Sequence, residues 1–282
     1  MDGMPEGDVV YRTAARLHQG LAGRRIVASD LRHPRLALVD LSGRTVLEAV
    51  PRGKHLLIRT TDGLTLHSHL KMDGNWWLYR PGQRWRAPSH QVRVVLTTDD
   101  VVAVGSRLHD LEIVRTAEES SLVGHLGPDL LGPDWDPDEA VRRLLASPER
   151  PIGLALLDQR NLAGIGNLYR AEVLFLRGVH PSTPTAAVPD LPGLMSLSHR
   201  LLYANRERVE QSTTGSLVRG QERYVYGRRG RPCRRCGGPV AAESLGSGAE
   251  GTDAERTVYF CPRCQPLTSN DTTTPDNGAG AR

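Results

Sequence analysis

The N-terminal segment has the hydrophobic period of a helix. Between Met4 and Leu21, apolar side chains recur at helical spacing, at Val9, Val10, Ala14, Leu17 and Leu21. Asp8 falls in the first turn, where the helix dipole favours a negative charge. We therefore predict an amphipathic helix over this segment, with one face turned to a core.

Between residues 25 and 115 the pattern changes to short apolar runs broken by glycine, aspartate and proline. Many short strands at close spacing are typical of a β-sandwich or barrel. The predicted strands are Leu36–Leu41, Thr45–Val50, His55–Thr60, Leu64–His67, Trp76–Tyr79, Val92–Thr97, Val101–Val104 and Leu111–Arg115. This stretch is predicted to form the first domain together with the N-terminal helix.

A linker and a helical region follow. Residues 121–133 are rich in glycine and proline and predict the linker. Asp136 is suited to cap a helix that begins at Pro137, with the acid Glu139 in the first turn. Further helices are predicted over about 152–158, over about 167–176, and around Leu194, Leu197, Leu201 and Leu202.

The four cysteines form two C-x2-C pairs separated by 24 residues, Cys233 with Cys236 and Cys261 with Cys264. Two such pairs can place four thiolates tetrahedrally around one Zn²⁺, and four protein ligands leave no open position, so the zinc would be structural. A thioredoxin-like redox pair would need an adjacent βαβ unit, which the pattern does not predict. We expect a β-hairpin ribbon, with a loop over residues 241–255 and a second strand containing Tyr259 and Phe260.

Composition narrows the class of protein. The chain is 39% hydrophobic, which excludes a wholly disordered or fibrous protein. No apolar run approaches the roughly 18 residues that a membrane span requires, and the first residues do not resemble a signal peptide. We expect a cytoplasmic monomer that does not act at a membrane. The last residues, 266–282, have almost nothing to bury and predict a disordered tail.

The basic residues are unevenly distributed. The net charge is only +4, yet residues 219–236 carry seven arginines and a single acid. This local excess suits a polyanion such as nucleic acid, although a solvated charged loop would show it too. Of the 36 basic residues only Lys54 and Lys71 are lysines. Unlike arginine, an amine can give up its proton, so both are candidates for chemistry or phosphate contact unless they are chance survivors on the surface.

Two further segments could carry chemistry. Residues 161–169 contain Gly164-Ile165-Gly166 ahead of a predicted helix, and free N–H groups at a helix start can bind phosphate, with Asn167 as an added donor. An ordinary connection between helices would look the same. At the N-terminus, Pro5 would be a nucleophilic secondary amine if the chain began there, with the carboxyl of Glu6 as a proton donor.

Four segments together give the sequence a clear resemblance. They are Met4–Asp8, Arg52–His55, Leu157–Asn167, and Tyr226–Arg228 running through Arg256-Thr257 to Cys261–Gln265. In this order they resemble the formamidopyrimidine-DNA glycosylase/endonuclease VIII family of bifunctional base-excision repair enzymes. The resemblance implies an α+β fold: an N-terminal helix on a β-sandwich, a helix–two-turn–helix domain and a C-terminal zinc-finger β-hairpin.

The resemblance also implies roles for individual residues. Pro5 resembles the Schiff-base nucleophile, Glu6 the general acid, Lys54 the lysine of β-elimination, and Arg256 the arginine of δ-elimination. Expected DNA contacts are Asn167, Arg228, Lys71, His90, His125 and the wedge Met72, which would fill the hole left by a base flipped out of the duplex. For each of the two histidines, a plain surface position is the alternative. The expected partner is double-stranded DNA with damaged bases or abasic sites, and the enzyme would lie on the nucleoid when bound.

Two departures from the purine-repair branch bear on the substrate. Residues 106–112 lack the phenylalanine of that branch's loop, and residues 213–223 leave little room for its lesion-capping loop. Both favour the endonuclease VIII side and oxidised pyrimidines, with an 8-oxoguanine/formamidopyrimidine enzyme as the alternative. The expected boundaries are 1–120 for the catalytic domain, 121–133 for the linker, 134–218 for the helical domain, 219–265 for the zinc finger and 266–282 for the tail.

The position of Pro5 poses a chemical condition. As an internal residue its nitrogen is a tertiary amide and cannot form an iminium. Met4 precedes a small residue, which permits its removal, whereas Met1 precedes Asp2, which does not favour it. We expect translation to start at Met4. If Pro5 is not terminal, the alternative is a non-catalytic protein that binds damaged DNA.

Overall fold

The N-terminal helix is where the pattern predicts it. In the computed structural model, which describes residues 5–246 and 255–267, α1 spans Gly7–Leu21. Its buried apolar side chains, Val10, Ala14, Leu17 and Leu21, lie on the predicted face. This face packs into the first hydrophobic core, so helical spacing alone identified both the helix and its buried side.

Two four-stranded antiparallel sheets build the sandwich. Their orders are β1-β6-β7-β5 and β2-β3-β4-β8. The strands are β1 (Ala28–Leu31), β2 (Val46–Arg52), β3 (His55–Thr60), β4 (Leu64–His69), β5 (Asn75–Tyr79), β6 (Val92–Thr97), β7 (Val102–Ser106) and β8 (Asp110–Arg115). In the second sheet, β2 and β3 form a hairpin whose turn carries Gly53 and Lys54.

The strand predicted over Leu36–Leu41 is wrong. Residues 34–38 form a turn, in which Leu36 is buried and Leu38 fully exposed. Leu36 and Leu41 both enter the core, but they lie five residues apart, which does not fit the period of two of a strand. The first strand is instead β1, where only Leu31 is buried and the apolar signal is correspondingly weak.

The helical part contains five helices among the described residues: α2 (Ser120–Val123), α3 (Pro137–Leu145), α4 (Ile152–Ala155), α5 (Asn167–Arg177) and α6 (Leu191–Asn205). The predicted cap of α3 is confirmed, since the Asp136 carboxylate accepts the N–H groups of Asp138 and Glu139, both at 3.0 Å. α4 is shorter than predicted. A second hydrophobic core lies between these helices.

A two-stranded hairpin closes the chain. β9 (Ala241–Leu245) pairs with β10 (Arg256–Phe260), which packs on α5. Tyr259 and Phe260 lie in the second strand as predicted, whereas the predicted loop over 241–255 begins with β9. The predicted disordered tail lies outside the described residues except for its first two positions. Across the described ranges, no helix has the length and apolar character needed to cross a membrane.

Candidate active site

Three of the glycine-containing segments meet at one point. The N–H of Gly7 donates to the carbonyl of Gly164 at 2.8 Å. A Cβ on Gly7 would lie 2.9 Å from the Cα of Gly164, so only glycine permits this approach. The β2–β3 turn joins them at Ala163, and the N–H of Gly53 donates to the carboxylate of Asp129 at 2.6 Å. The backbone therefore brings α1, the β2–β3 hairpin and the start of α5 together.

Glu6 lies at the centre of this junction and is 1% exposed. Its carboxylate accepts the N–H groups of Gly166 and Leu168, both at 2.7 Å, at the N-terminus of α5. Burial raises the pKa of Glu6 to about 7, and the charge of Asp8 adds to the rise, while Lys54 and the two N–H donors oppose it. A carboxyl group with this pKa can deliver a proton near neutral pH.

Lys54 is half-buried and has no hydrogen-bond or ion-pair partner among the residues described. Burial lowers the pKa of this amine, and the nearby Arg170 and Arg256 lower it further, against the attraction of Glu6. The lowered pKa makes the neutral amine more accessible than in an exposed lysine. Lys54 can therefore act as a base as well as a cation.

Arg170 joins the helical domain to the C-terminal hairpin. It is fully buried, and its guanidinium donates to the carbonyls of Gly153 at 3.1 Å and Thr257 at 2.9 Å. It also donates to the Oδ1 atom of Asn167. Because that oxygen is occupied, the free end of the Asn167 side chain is its amide nitrogen, which is a donor. Asn167 thus sits at the start of α5 with a donor to offer.

Arg256 is placed by the same contact. It is the first residue of β10 and is exposed. The next residue, Thr257, accepts the hydrogen bond from Arg170 through its carbonyl. Its charge influences both Lys54 and Arg170. The structure thus brings Glu6, Lys54 and Arg256, which come from three distant parts of the chain, into one electrostatic neighbourhood.

A cleft of about 970 Å³ opens beside Pro5. Its lining is strongly basic, with the arginines Arg12, Arg107, Arg219, Arg223, Arg228 and Arg231. Four of these belong to the arginine-rich segment singled out in the sequence. Met72 and Gln211 also line the cleft. A groove with this charge is suited to a polyanionic backbone that passes the amino end of α1.

The predicted wedge lies on the rim of this cleft. Met72 is 70% exposed, and its neighbour Lys71 pairs with Asp110 at 2.6 Å. On the other side, Asp73 lies 3.3 Å from the ring of His109. Contacts to Asp110, at the start of β8, and to His109, just before it, therefore hold the loop on both sides of Met72, while its thioether side chain remains free to enter a ligand.

The two predicted histidines are in different surroundings. His90 is exposed in the segment before β6 and does not line the cleft. His125 is exposed after α2, with its ring 6.3 Å from that of His55. His55 in turn shares a 2.8 Å hydrogen bond with His67, and burial lowers the pKa of His55 to about 3, with the neighbouring imidazoles adding to the effect. His55 is therefore neutral at physiological pH.

The four cysteines form the expected cluster. Their sulfur atoms all lie within 4.8 Å of one another. Two separations are 3.9 Å, between Cys233 and Cys264, and 3.5 Å, between Cys236 and Cys261. A tetrahedral zinc site with Zn–S bonds of about 2.3 Å has S···S edges of about 3.8 Å. The donor set and spacing are therefore compatible with a structural zinc ion.

Sequence reasoning missed the buried ionic residues that hold the site together. Arg170 and Glu172 are both fully buried in α5, and the Glu172 carboxylate accepts the N–H groups of residues 224, 225 and 226 at 2.8–2.9 Å. Asp129 holds Gly53 in the same way. A signal for the first two was present, because two opposite charges interrupt the otherwise apolar run from Leu168 to Phe175.

Comparison with known proteins gives a family. Residues 4–126 match the family model described as the formamidopyrimidine-DNA glycosylase N-terminal domain, and residues 126–200 match the formamidopyrimidine-DNA glycosylase H2TH domain. The chain is 56% identical to the "Probable endonuclease 8 2" of Streptomyces coelicolor, over 93% of this chain and 94% of the relative. It is 44% identical to the "DNA-(apurinic or apyrimidinic site) lyase Nei2" of Mycolicibacterium smegmatis, over 93% and 99% respectively.

Solved structures agree with these relatives. The fold superimposes on Lactococcus lactis Fpg (MutM) in complex with DNA containing an oxidised pyrimidine, with a TM-score of 0.77 and 26% identity. A complex of the L. lactis protein with DNA containing an abasic site gives the same TM-score and identity. In both comparisons 93% of this chain and all of the other chain are covered.

Proposed function

The chain belongs to the formamidopyrimidine-DNA glycosylase family, on its endonuclease VIII branch, and from this we propose that the cleft binds damaged duplex DNA beside Pro5 and Glu6. The protein is a bifunctional DNA glycosylase and abasic-site lyase of base excision repair. One observation supports Glu6 as the acid. Its carboxyl group is buried next to Pro5, which lines the cleft, and burial raises its pKa to about 7. We assign oxidised pyrimidines as the favoured substrates.

We propose the following roles for the residues, which this geometry supports. The amine of Pro5, once terminal, attacks C1′ of the damaged nucleotide, and the bond from C1′ to the base breaks. The departing base and the sugar oxygen each take up a proton; Glu6 supplies one, and the attacking amine, which loses its N–H proton, supplies the other. Opening of the sugar ring then gives an iminium between Pro5 and C1′. Lys54, as a neutral amine, can remove the 2′ proton, which expels the 3′ phosphate by β-elimination. Arg256 faces the remaining 5′ phosphate, whose loss by δ-elimination releases the sugar fragment and leaves a one-nucleotide gap.

The DNA contacts divide into phosphate binding and base replacement. Asn167 and Arg228 offer donors to the phosphate backbone, and His125, beside the β2–β3 hairpin, lies near the same strand. Met72 fills the space left by the flipped nucleotide, with Lys71 next to it. His90 contacts the duplex outside the cleft. Flipping is required because the bond to the base cannot be reached inside the stacked helix.

Zinc has a structural role in this proposal. One Zn²⁺ bound by Cys233, Cys236, Cys261 and Cys264 would hold the hairpin that carries Arg256, and it would take no part in the reaction because its coordination shell is closed. We also assign the chain a catalytic domain, a linker, a helical DNA-binding domain, a zinc finger and a tail, with the boundaries expected from the sequence. The enzyme would act in the cytoplasm, on the nucleoid.

Borohydride trapping tests the function directly. Reduction of the iminium joins an active enzyme covalently to DNA that contains an abasic site. We expect trapping by the wild-type protein and none by Pro5→Gly with a blocked N-terminus. A protein that binds abasic DNA but never becomes trapped would be the non-catalytic alternative. Rates on a panel of oxidised pyrimidines and 8-oxoguanine would distinguish the two substrate classes.

A further inference from the structure

A second buried carboxylate lies one residue beyond the junction at Gly7. Asp8 is 1% exposed, and its carboxylate accepts the phenolic O–H of Tyr169 at 2.7 Å. The side-chain NH₂ group of Gln211 also donates to this carboxylate, with its nitrogen 3.0 and 2.9 Å from the two Asp8 oxygens. Asp8 therefore joins α1, α5 and the loop that follows α6.

This arrangement fixes which end of the Gln211 amide faces the cleft. A carboxylate can only accept, so the amide must turn its NH₂ group to Asp8. The carbonyl oxygen of Gln211 then has no hydrogen-bond partner among the residues that the structure describes. Gln211 lines the same cleft as Pro5. Gln211 therefore brings an oriented acceptor to the cleft that Pro5 also lines.

The loop around Gln211 is suited to receive an unstacked base. Its position is fixed because the Asn205 side chain binds both the N–H and the carbonyl of Ser212, at 2.8 and 2.9 Å. Val209 and Leu217, on either side along the chain, line the cleft and are 82% and 60% exposed. Within the basic cleft these two side chains give an apolar surface close in sequence to Gln211, and apolar side chains with a few oriented polar groups are typical of sites that select a ligand.

We propose that Gln211, oriented by Asp8, is a specificity-determining residue whose carbonyl oxygen accepts the N3–H of the flipped base. The inference rests on the proposed function and adds the class of base to it. Oxidised derivatives of uracil and thymine carry an N–H at N3, whereas derivatives of cytosine carry an unprotonated nitrogen there. The site therefore favours bases with an imide N3–H. In a cytosine derivative, the Gln211 carbonyl oxygen would face an unprotonated N3, and two acceptors cannot form a hydrogen bond.

Asp8→Asn provides a reversal test. The Tyr169 hydroxyl would donate to the one oxygen that the substituted side chain retains, so the introduced NH₂ group would point to Gln211 and turn its amide round. Gln211 would then present a donor to the cleft. We expect wild type to excise 5-hydroxyuracil at least tenfold faster than 5-hydroxycytosine, from otherwise identical duplexes, and we expect Asp8→Asn to reduce that ratio tenfold or invert it.

Two more variants keep the test decisive. Gln211→Met removes the side-chain carbonyl that would read the base and leaves Asp8 its hydrogen bond from Tyr169, and we expect its ratio to approach one even if Asp8→Asn fails to fold. Tyr169→Phe is the matched control, since it removes a partner of Asp8 but leaves the Asp8–Gln211 contact, and it should keep the wild-type ratio. Each rate is normalised to the active fraction found by borohydride trapping on abasic DNA, which has no base to read.

The outcomes separate this inference from the function beneath it. If wild type does not trap on abasic DNA, the proposed function fails. If wild type traps but shows no preference between the two bases, or if both Asp8→Asn and Gln211→Met keep its preference, the role of Gln211 is overturned while the function stands. A loss of preference in Tyr169→Phe as large as in Asp8→Asn would also overturn it.

Discussion

Glu6 shows how one side chain can be set between two opposing influences. Burial and the nearby Asp8 charge favour its neutral form, while two N–H donors and Lys54 favour the carboxylate. The result is a pKa of about 7, at which both forms are populated at neutral pH. A group in this state can give a proton to a leaving base and be reprotonated between turnovers.

The rate of base excision should fall as the pH is raised through 7. The pKa of Glu6 is raised, so its acid form predominates below about 7 and is lost above it. In the proposed mechanism the acid form supplies the proton, so single-turnover excision measured from pH 6 to 9 should decline on the alkaline side. Glu6→Gln should lose about 10²–10⁴-fold in rate. An excision rate that is flat from pH 6 to 9 would count against Glu6 as the acid.

Lys54→Arg tests the need for an amine that can lose its proton. Burial lowers the pKa of Lys54, whereas a guanidinium keeps its charge. Because the proposed role of Lys54 is to remove the 2′ proton, we expect a marked fall in lyase activity on preformed abasic sites and a smaller fall in base excision, measured on the two substrates in parallel. Lys71→Arg, at the other lysine, is the matched control and should be affected less. Wild-type rates on both substrates would remove Lys54 from the mechanism.

The mature chain should begin at Pro5, because only a terminal proline has an amine that can form an iminium. The match to the family model begins at residue 4, which fits removal of a single methionine. Intact-mass measurement of the native protein decides this. An N-terminus at Met1 in protein that still becomes trapped on abasic DNA would exclude Pro5 and leave Lys54 as the next candidate nucleophile. Residues 1–4 lie outside the described residues.

At the scale of elements, a helix or strand is predicted accurately where the apolar residues of its segment follow one clear pattern. His55–Thr60 and Val92–Thr97 were predicted to the residue because each is an apolar run bounded by turn residues. The strand predicted over Leu36–Leu41 is wrong because its two buried leucines pack into the core from a turn and the residues after it, not from an extended strand. The cysteine spacing predicted the ribbon, but the Arg170 contact to Thr257 could not be predicted, since it depends on how two distant elements dock.

The start of α5 is the element on which the acid depends. A Cβ on Gly166 would lie 2.5 Å from the carboxyl carbon of Glu6, so Gly166→Ala must displace that side chain. We expect excision to fall by at least tenfold while DNA binding, measured by fluorescence anisotropy, changes little. Ile165→Val is the control, because it only removes a methylene from the adjacent core position, at a cost of about 0.5–1.5 kcal/mol. Equal excision by the two variants would show that Glu6 can move without loss.

At the scale of the whole molecule, the site exists only where separate parts of the chain meet. The segment leading into α1 contributes Glu6, the sandwich contributes Lys54, the helical part contributes Asn167, and the hairpin contributes Arg256. The contacts among them are buried and polar: Glu6 to the start of α5, Gly53 to Asp129, and Arg170 to Thr257. No local sequence pattern encodes these contacts, which is why the residues could be named from motifs while their arrangement could not.

Disruption of the proposed zinc site should therefore disable the enzyme without unfolding its first domain. The hairpin is fixed by the cysteine cluster and by Gln265, which is fully buried and donates to the carbonyl of Val179 at 2.8 Å. Cys233→Ser should free the hairpin to move. The hydrogen bond from Arg170 to the carbonyl of Thr257 would then be lost, and Arg256 would move away from Lys54.

We expect zinc content, DNA affinity and borohydride trapping to fall together in Cys233→Ser, with at least a tenfold loss of affinity. The sandwich should keep its structure by circular dichroism, because its core contains no residue of the hairpin. Arg263→Ala, in the turn between Cys261 and Cys264, is the control and should keep its zinc, since it changes no ligand. Metal-free protein that nicks abasic DNA at the wild-type rate would contradict a structural zinc, because the hairpin would then hold Arg256 in place without it.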